Sequence, residues 1–411
     1  MESFSSTVAT FLNPQGPDAQ PLPRVSFGAV NRSGTFKYLK TFGDDAQPGT
    51  NADPSDNVDT LWTIASSTKF ITTIAALQCV DKGLLTLDGD IGDVLPEWKD
   101  PKILTGFTEN DEPVFVPAKN TVTLRGTAYA FESETLQKYQ ELRGPQPHPT
   151  TVMGSYRHEQ LQKEAYELFL VEEPGTKWMY SPGMDWAGLM IERVTNLPLG
   201  AYMQTHIFTP LSIAPTSILY HPDRHPDAIA RHAATFRRDP SDPAVLAAIP
   251  DPSKPTADDF GGGGLVATAP ALLAIYAAIL RCGGGGENNI LSAAMVDEMF
   301  APQLDAASRR RGLSSIEKVD PGALCGVPRG APIQYGLGGL LNVEDVPDGR
   351  RRAGSVAWSG MRNFYFWIDR RGGGVAGLQA MHHLPCGDEK TVELLGAFER
   401  AVYRAAAGVE G

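Results

Sequence analysis

A serine and a lysine three residues apart open a strongly apolar stretch, Trp62-Thr63-Ile64-Ala65-Ser66-Ser67-Thr68-Lys69-Phe70-Ile71. On a helix Ser66 and Lys69 share one face, with side-chain origins roughly 5–6 Å apart. A serine hydroxyl becomes a useful nucleophile when a neighbouring base takes its proton, and a lysine amine can be that base only when neutral. Burial disfavours the ammonium form. The residues that follow suit burial: Phe70, Ile71, Ile74, Ala75, Ala76, Leu77, Cys79 and Val80 leave almost no charged face before Asp81-Lys82-Gly83. The pattern predicts a helix inside a domain, stopped near Gly83, with Ser66 at its N-terminus where backbone N–H groups favour developing negative charge. A second Ser-x-x-Lys, Ser315-Ile316-Glu317-Lys318, follows three arginines in a polar stretch without apolar period, and reads as surface loop. One such match is expected by chance in a chain of about this length.

Two further stretches carry groups that could serve the same site. Tyr180 lies in Lys177-Trp178-Met179-Tyr180-Ser181-Pro182-Gly183-Met184-Asp185-Trp186, entering a predicted helix at 184–195. Its bland reading is core, where aromatic residues usually go. Ala357-Trp358-Ser359-Gly360-Met361 reads as a strand end with a glycine at which backbone can come close to a substrate. Rival chemistries find less support. No serine stands in Gly-x-Ser-x-Gly. The eight histidines offer only His221-Pro222-Asp223-Arg224-His225 and the pair His382-His383, with no ligand-rich third segment for a metal. His221 and His225 read as solvated loop; His382-His383 follow a strand and are candidates for a substrate wall.

The elements that would position these groups divide unevenly along the chain. Strands are expected at 24–30 and 35–39, a hairpin around Asn31-Arg32-Ser33-Gly34, and again at 334–341, 352–358, 363–369 and 374–381. Helices are expected at 134–143, 156–170, 184–195, 199–207, 270–281, 291–299 and 389–406. The five prolines from Pro240 to Pro255 read as a linker, and 303–332 as a long polar loop. The expected architecture is mixed α/β (α+β): an antiparallel sheet built from both chain ends (1–96 and 256–411) and flanked by helices. A mainly helical insertion occupies 97–255, with the site in the cleft between the two parts.

Composition narrows the partners. A net charge of -12 over 411 residues argues against nucleic acid and against anionic membranes. Four widely spaced cysteines, Cys79, Cys282, Cys325 and Cys386, read as free thiols in a reducing compartment. No apolar run approaches a membrane span, and Met1-Glu2-Ser3-Phe4-Ser5 does not resemble a signal peptide, so a cytosolic location and a monomer are expected.

Taken in order, Ser-x-x-Lys, the tyrosine stretch and Trp-Ser-Gly resemble the three motifs of the serine β-lactamase and penicillin-recognising family. Within it the chain resembles the fungal branch of the lovastatin acyltransferase and similar esterases. Supporting stretches include Lys82-Gly83-Leu84-Leu85-Thr86-Leu87-Asp88, Glu173-Pro174-Gly175, Phe260-Gly261-Gly262-Gly263-Gly264 and Tyr335-Gly336-Leu337-Gly338-Gly339. The resemblance spans roughly 24–405. It implies a β-lactamase/transpeptidase-like fold and no metal or cofactor. Ser66 would be the nucleophile, Lys69 and Tyr180 a coupled pair sharing its proton, and the backbone N–H groups of Ser66 and Met361 an oxyanion hole. Pro182, Trp358, Ser359 and Gly360 would line the substrate. The implied partners are an acyl thioester or ester donor, free or on an acyl carrier protein domain, and a small-molecule acceptor bearing a hydroxyl or amine. Hydrolysis by the same acyl-enzyme, or a non-catalytic binding role, are the alternatives.

Three departures stand out. Pro182 replaces the family's asparagine and Trp358 its lysine, which disfavours β-lactams and suits a bulky, less charged acyl substrate. After Thr123-Leu124-Arg125 the chain runs directly into Gly126-Thr127-Ala128-Tyr129, omitting a Leu-Leu-Thr-His-Thr-Ser-Gly stretch that the family usually carries.

Overall fold

The hairpin expected near the N-terminus forms between Val25–Asn31 (β1) and Lys37–Phe42 (β2), with Gly34 at φ +75° in its turn. The computed structural model describes residues 1–16, 19–44, 58–125, 133–143, 168–251, 256–282, 289–306, 313 and 324–409. On the far side of β1 lies Val375–Met381 (β14), antiparallel and in register at Ala29↔Gly377. Ile333–Gly336 (β10), Gly339–Asn342 (β11), Val356–Gly360 (β12) and Phe364–Asp369 (β13) complete a seven-stranded antiparallel sheet, ordered β10-β11-β12-β13-β14-β1-β2. Both chain ends therefore supply one sheet. The single strand expected at 334–341 is instead two, because Gly336-Leu337-Gly338-Gly339 turns back on itself with Gly339 at φ +148°.

Every residue of β1, β13 and β14 is buried, since helices cover both faces of the sheet. On one face Glu2–Leu12 (α1) and the C-terminal helix Glu389–Val409 pack Phe4, Phe27 and Phe398 together, with ring centroids 4.7–5.2 Å apart. On the other lie Thr68–Asp81 (α2) and Ala269–Arg281 (α7). The Phe70 ring sits 5.1 Å from Phe366 and 5.8 Å from Tyr276. Gly28 is required by that packing: a Cβ there would meet Leu273 of α7 at 2.7 Å. Eleven of the fourteen residues of α2 are buried, which fits its lack of a charged face.

The stretch 97–255 holds Glu134–Leu142 (α3), Gly183–Thr195 (α4), Leu199–Met203 (α5) and Pro226–Arg231 (α6). Helix α5 runs on into a π-helical turn, Gln204–Phe208. The same stretch holds strands: Lys102–Phe107 (β4) pairs with Pro113–Pro117 (β5), and Ile218–Leu219 (β6) joins Val266–Ala267 (β9) and Trp62–Thr63 (β3). The linker reading of 240–255 is overturned at Leu246–Ile249 (β8), which pairs with Thr235–Arg238 (β7); His383–Leu384 (β15) pairs with β7 on its other edge. Pro240 and Pro243 sit in the turn between β7 and β8, outside the ladder, so they interrupt no hydrogen bonds there. Ala293–Phe300 (α8) corresponds to the helix expected at 291–299. Most of the helix expected at 156–170, and the second Ser-x-x-Lys at 315–318, lie outside the described residues. Among the described residues no helix is long and apolar enough to cross a membrane, and Cys79 and Cys282 are buried free thiols.

Candidate active site

Strand β3 reaches α2 through a 3-10 turn, Ala65–Ser67, and Ser66 sits in that turn. Ala65 adopts φ +43°, a left-handed conformation that costs a non-glycine residue roughly 1–2 kcal/mol. Lys69 lies one turn on and reaches back on the same face, its Nζ donating to Ser66 Oγ at 3.3 Å. From the other side the Tyr180 hydroxyl donates to Ser66 Oγ at 2.5 Å. Lys69 Nζ also stands 4.8 Å from the centre of the Tyr180 ring. Three side chains from two distant stretches thus meet at one oxygen.

The glycine-rich turn before β9 anchors this arrangement. Lys69 Nζ donates to the Gly262 carbonyl at 2.6 Å, and the Thr72 hydroxyl to that of Gly261 at 2.7 Å. The Gly262 N–H donates in turn to Asp185 Oδ1 at 2.6 Å, where Asp185 is a buried carboxylate in the first turn of α4. Side chains have no room here: a Cβ would come within 2.5 Å of the Met184 carbonyl at Gly261 and within 2.8 Å of Asp185 at Gly262. Asp185 and Gly262 lie in stretches that carry the family likeness, yet neither had a chemical role legible from residue type, because the bond joining them spans 77 positions.

A cavity of about 460 Å³ opens beside the site, and its lining includes Lys69, Tyr180, Trp178, Tyr335, Leu337 and Trp358. Its wall is aromatic. The ring centres of Trp358 lie 5.8 Å from Tyr180 and 5.4 Å from Tyr335, and Trp178 lies 5.0 Å from Tyr335. Burial, and then the neighbouring Tyr180 and Cys325, push the Tyr335 phenol well above its ordinary value, so that side chain stays uncharged. The Trp358 indole N–H meets no hydrogen-bond partner among the described residues.

None of the remaining predicted residues, Pro182, Ser359, Gly360 and Met361, lines this cavity. Pro182 is buried as the N-cap of α4 and does not border the cavity, whereas Ser181 and Gly183 do. Ser359 and Gly360 are buried in β12. What passes close to Gly360 is the Ile64 carbonyl, 2.1 Å from where a Cβ would stand. Met361 follows β12 directly, half-buried, and begins a turn in which Arg362 and Asn363 take φ +82° and +64°. Arg125 borders the cavity and is held by Asp88, Glu298 and Gln303; the positions after it, where the family's stretch is omitted, lie outside the described residues.

Of the four histidines singled out, His225 is placed as expected and the other three are packed. His382 and His383 are buried at 1% and 0% exposure and are not part of this cavity's lining. Both follow β14 into its covered end, where alternation cannot bring either to solvent. His221 is packed against Asp259, with Nε2 2.7 Å from Oδ1, while His225 is exposed.

The beta-lactamase family model matches residues 25–378. The chain is 35% identical to the lovastatin esterase of Penicillium rubens over 92% of this chain and 93% of that protein. It is 32% identical to the acyltransferase calJ of Penicillium decumbens over 88% and 85%. Among solved structures, a mutant of simvastatin synthase from Aspergillus terreus superposes with a TM-score of 0.81 at 27% identity, covering 99% of this chain and 98% of that one.

Proposed function

The chain belongs to the beta-lactamase family, and we propose that it moves an acyl group from a thioester or ester donor, through a Ser66 acyl-enzyme, to a hydroxyl or amine of a secondary metabolite such as a polyketide. One observation carries this reading: Ser66 Oγ lies within hydrogen-bonding reach of both Tyr180 and Lys69 beside an aromatic cavity. Ser66 Oγ attacks the donor carbonyl, and its proton passes to the Lys69–Tyr180 pair. These two act as one unit, so the base is the pair. The developing oxyanion takes hydrogen bonds from the backbone N–H groups of Ser66 and Met361, each worth roughly 3–4 kcal/mol in comparable sites. The pair then protonates the leaving thiol or alcohol. In the second half the acceptor hydroxyl or amine gives its proton to the pair, attacks the acyl-serine and restores Ser66.

Trp358, with Tyr180 and Tyr335, walls the acyl pocket; Ser359 and Gly360 continue its strand, and Pro182 caps α4 between Ser181 and Gly183, which border the cavity. The donor is a small thioester or an acyl chain on a carrier protein domain, and the protein works as a cytoplasmic monomer. Hydrolysis of the same acyl-enzyme is the second reading, favoured by the relative named as an esterase.

Intact-protein mass measurement after incubation with a panel of acyl thioesters tests the proposal. The expected mass gain disappears in Ser66→Ala and persists in Ser315→Ala. Tyr180→Phe should slow it at least ~100-fold while leaving substrate binding in place. An adduct that survives Ser66→Ala would overturn the assignment.

A further inference from the structure

A chain of polar side chains, none of which lines the cavity, joins the two segments that carry the proposed N–H donors. The first segment is β3, whose Thr63 stands three residues before Ser66. Thr63 is held twice: its N–H donates to His382 Nε2 at 2.7 Å, and its hydroxyl lies 2.9 Å from His232 Nε2. His382 Nδ1 donates to the Ala233 carbonyl at 3.0 Å, so its proton is on Nδ1 and Nε2 is left as acceptor. The second segment is the turn after β12. There Arg362, next to Met361, is 1% exposed and forks onto Asp251 through two bonds of 3.0 and 2.6 Å. Asp251 Oδ2 also faces His232 Nδ1 at 3.5 Å, which closes the path Thr63–His232–Asp251–Arg362.

A left-handed Arg362 is uncommon for a side chain of that size and needs outside support. The Asp251 fork is one support, and the His383 N–H donating to the Arg362 carbonyl at 3.2 Å is another. The two segments also touch directly where Ile64 passes Gly360. The spacing between the Ser66 and Met361 N–H groups is therefore set at two places: by backbone contact at Gly360, and by a buried network at Asp251.

We propose that Asp251, Arg362, His232 and His382 are positioning residues that hold the two oxyanion donors at the separation the reaction needs. The proposal rests on the acyl-enzyme reading given above. None of the four touches the reacting atoms; they act through Thr63, held by its N–H and its hydroxyl, and through the Arg362 turn. Loosening such a frame by about 1 Å costs on the order of 100-fold in rate, whereas substrate affinity, set in the aromatic cavity, is untouched.

The test compares wild type with Asp251→Asn and His232→Gln on p-nitrophenyl butanoate and on its thiono analogue, in which C=S replaces C=O. A thiocarbonyl sulfur is larger and a weaker acceptor, so a well-set pair of donors penalises it, and a loosened pair penalises it less. The variants should lose ~10-fold or more in kcat with KM within about twofold, and the oxo-to-thiono rate ratio should fall several-fold. A merely structural role would not move that ratio. Folded variants with an unchanged ratio, or with a loss in KM alone, overturn the proposal. If neither variant folds, the network is a determinant of folding and the proposal is withdrawn. Labelling of Ser66 in wild type separates the two levels: without a Ser66 adduct the acyl-enzyme reading fails and this inference falls with it, whereas normal labelling with an unchanged ratio removes this inference alone.

Discussion

Lys69 Nζ stands nearer to the Gly262 carbonyl, at 2.6 Å, than to Ser66 Oγ, at 3.3 Å. The amine is thus tethered to a loop, and that loop is in turn tied to α4 by Asp185. Tyr180 enters just before α4, so the start of one helix governs both partners of Ser66. Asp185→Ala leaves the buried Gly262 N–H without that acceptor, a loss of about 1–3 kcal/mol. It is expected to lower unfolding stability by that amount and to slow the acylation burst, while Asp185→Asn, which keeps an oxygen acceptor, recovers most of both. A burst of wild-type size and rate in Asp185→Ala would show that Lys69 needs no such tether.

Gly360 is where the serine-bearing turn and the end of β12 meet. A Cβ there would stand 2.1 Å from the Ile64 carbonyl and 2.9 Å from its carbon, both backbone atoms that no rotamer change can move. Gly360→Ala should therefore push Ile64-Ala65-Ser66 away from Met361. Overpacking of this kind typically costs 1–3 kcal/mol, and the rate of Ser66 acylation should fall more than the melting temperature suggests. Equal kcat in a folded Gly360→Ala would show that the two segments move together.

This glycine also shows how far the sequence could be read. The three motifs and the two-ended sheet were legible, because Ser-x-x-Lys spacing, apolar runs and turn residues are local signals. A glycine at a strand end suggests room for a substrate, whereas the atom that passes Gly360 is the Ile64 carbonyl, 296 positions upstream by difference of residue numbers. His382 and His383 are buried, and nothing in a His-His pair distinguishes a wall-lining group from one that, like His382, accepts a backbone N–H. The Asp185–Gly262 and Asp251–Arg362 bonds are likewise long-range, and proline counts hid β8. Contacts between remote segments leave no periodicity to read.

Glu192 in α4 offers a pH test. Burial, reinforced by Asp259 and Asp258 and opposed by the Leu199 N–H that it accepts at 2.8 Å, pushes its carboxyl up to about 7. The folded protein therefore holds this proton more tightly than the unfolded chain, whose ordinary value is 4.5. The stability it contributes is full below about pH 4.5, declines as pH rises towards about 7, and is absent above. Glu192→Gln should then raise the melting temperature relative to wild type at about pH 8, with a smaller gain at about pH 5. Melting curves across that range check it; a gain that grows as pH falls would mean the carboxylate is stabilising.

The last prediction concerns where the acyl group goes. Water and an organic acceptor compete for every serine acyl-enzyme, and the roles proposed for Ser66, Lys69 and Tyr180 serve either. The pocket decides. A bound, well-oriented nucleophile competes at an effective concentration of roughly 10⁵ M or more, far above that of liquid water. An acceptor that fits therefore wins unless ordered water is held at the ester. Trp358 is 5% exposed and packs between Tyr180 and Tyr335, filling space that water would otherwise take beside Ser66. Trp358→Ala should open that space, weaken the acceptor's wall and lower the ratio of transfer to hydrolysis by ~10-fold or more, with acylation itself less affected. The measurement is to trap acylated protein, add hydroxylated or amine-bearing natural products, and count acylated product against free acid. If free acid forms as fast with acceptors as without, in wild type and in Trp358→Ala alike, the protein is an esterase and the wall serves only the acyl group.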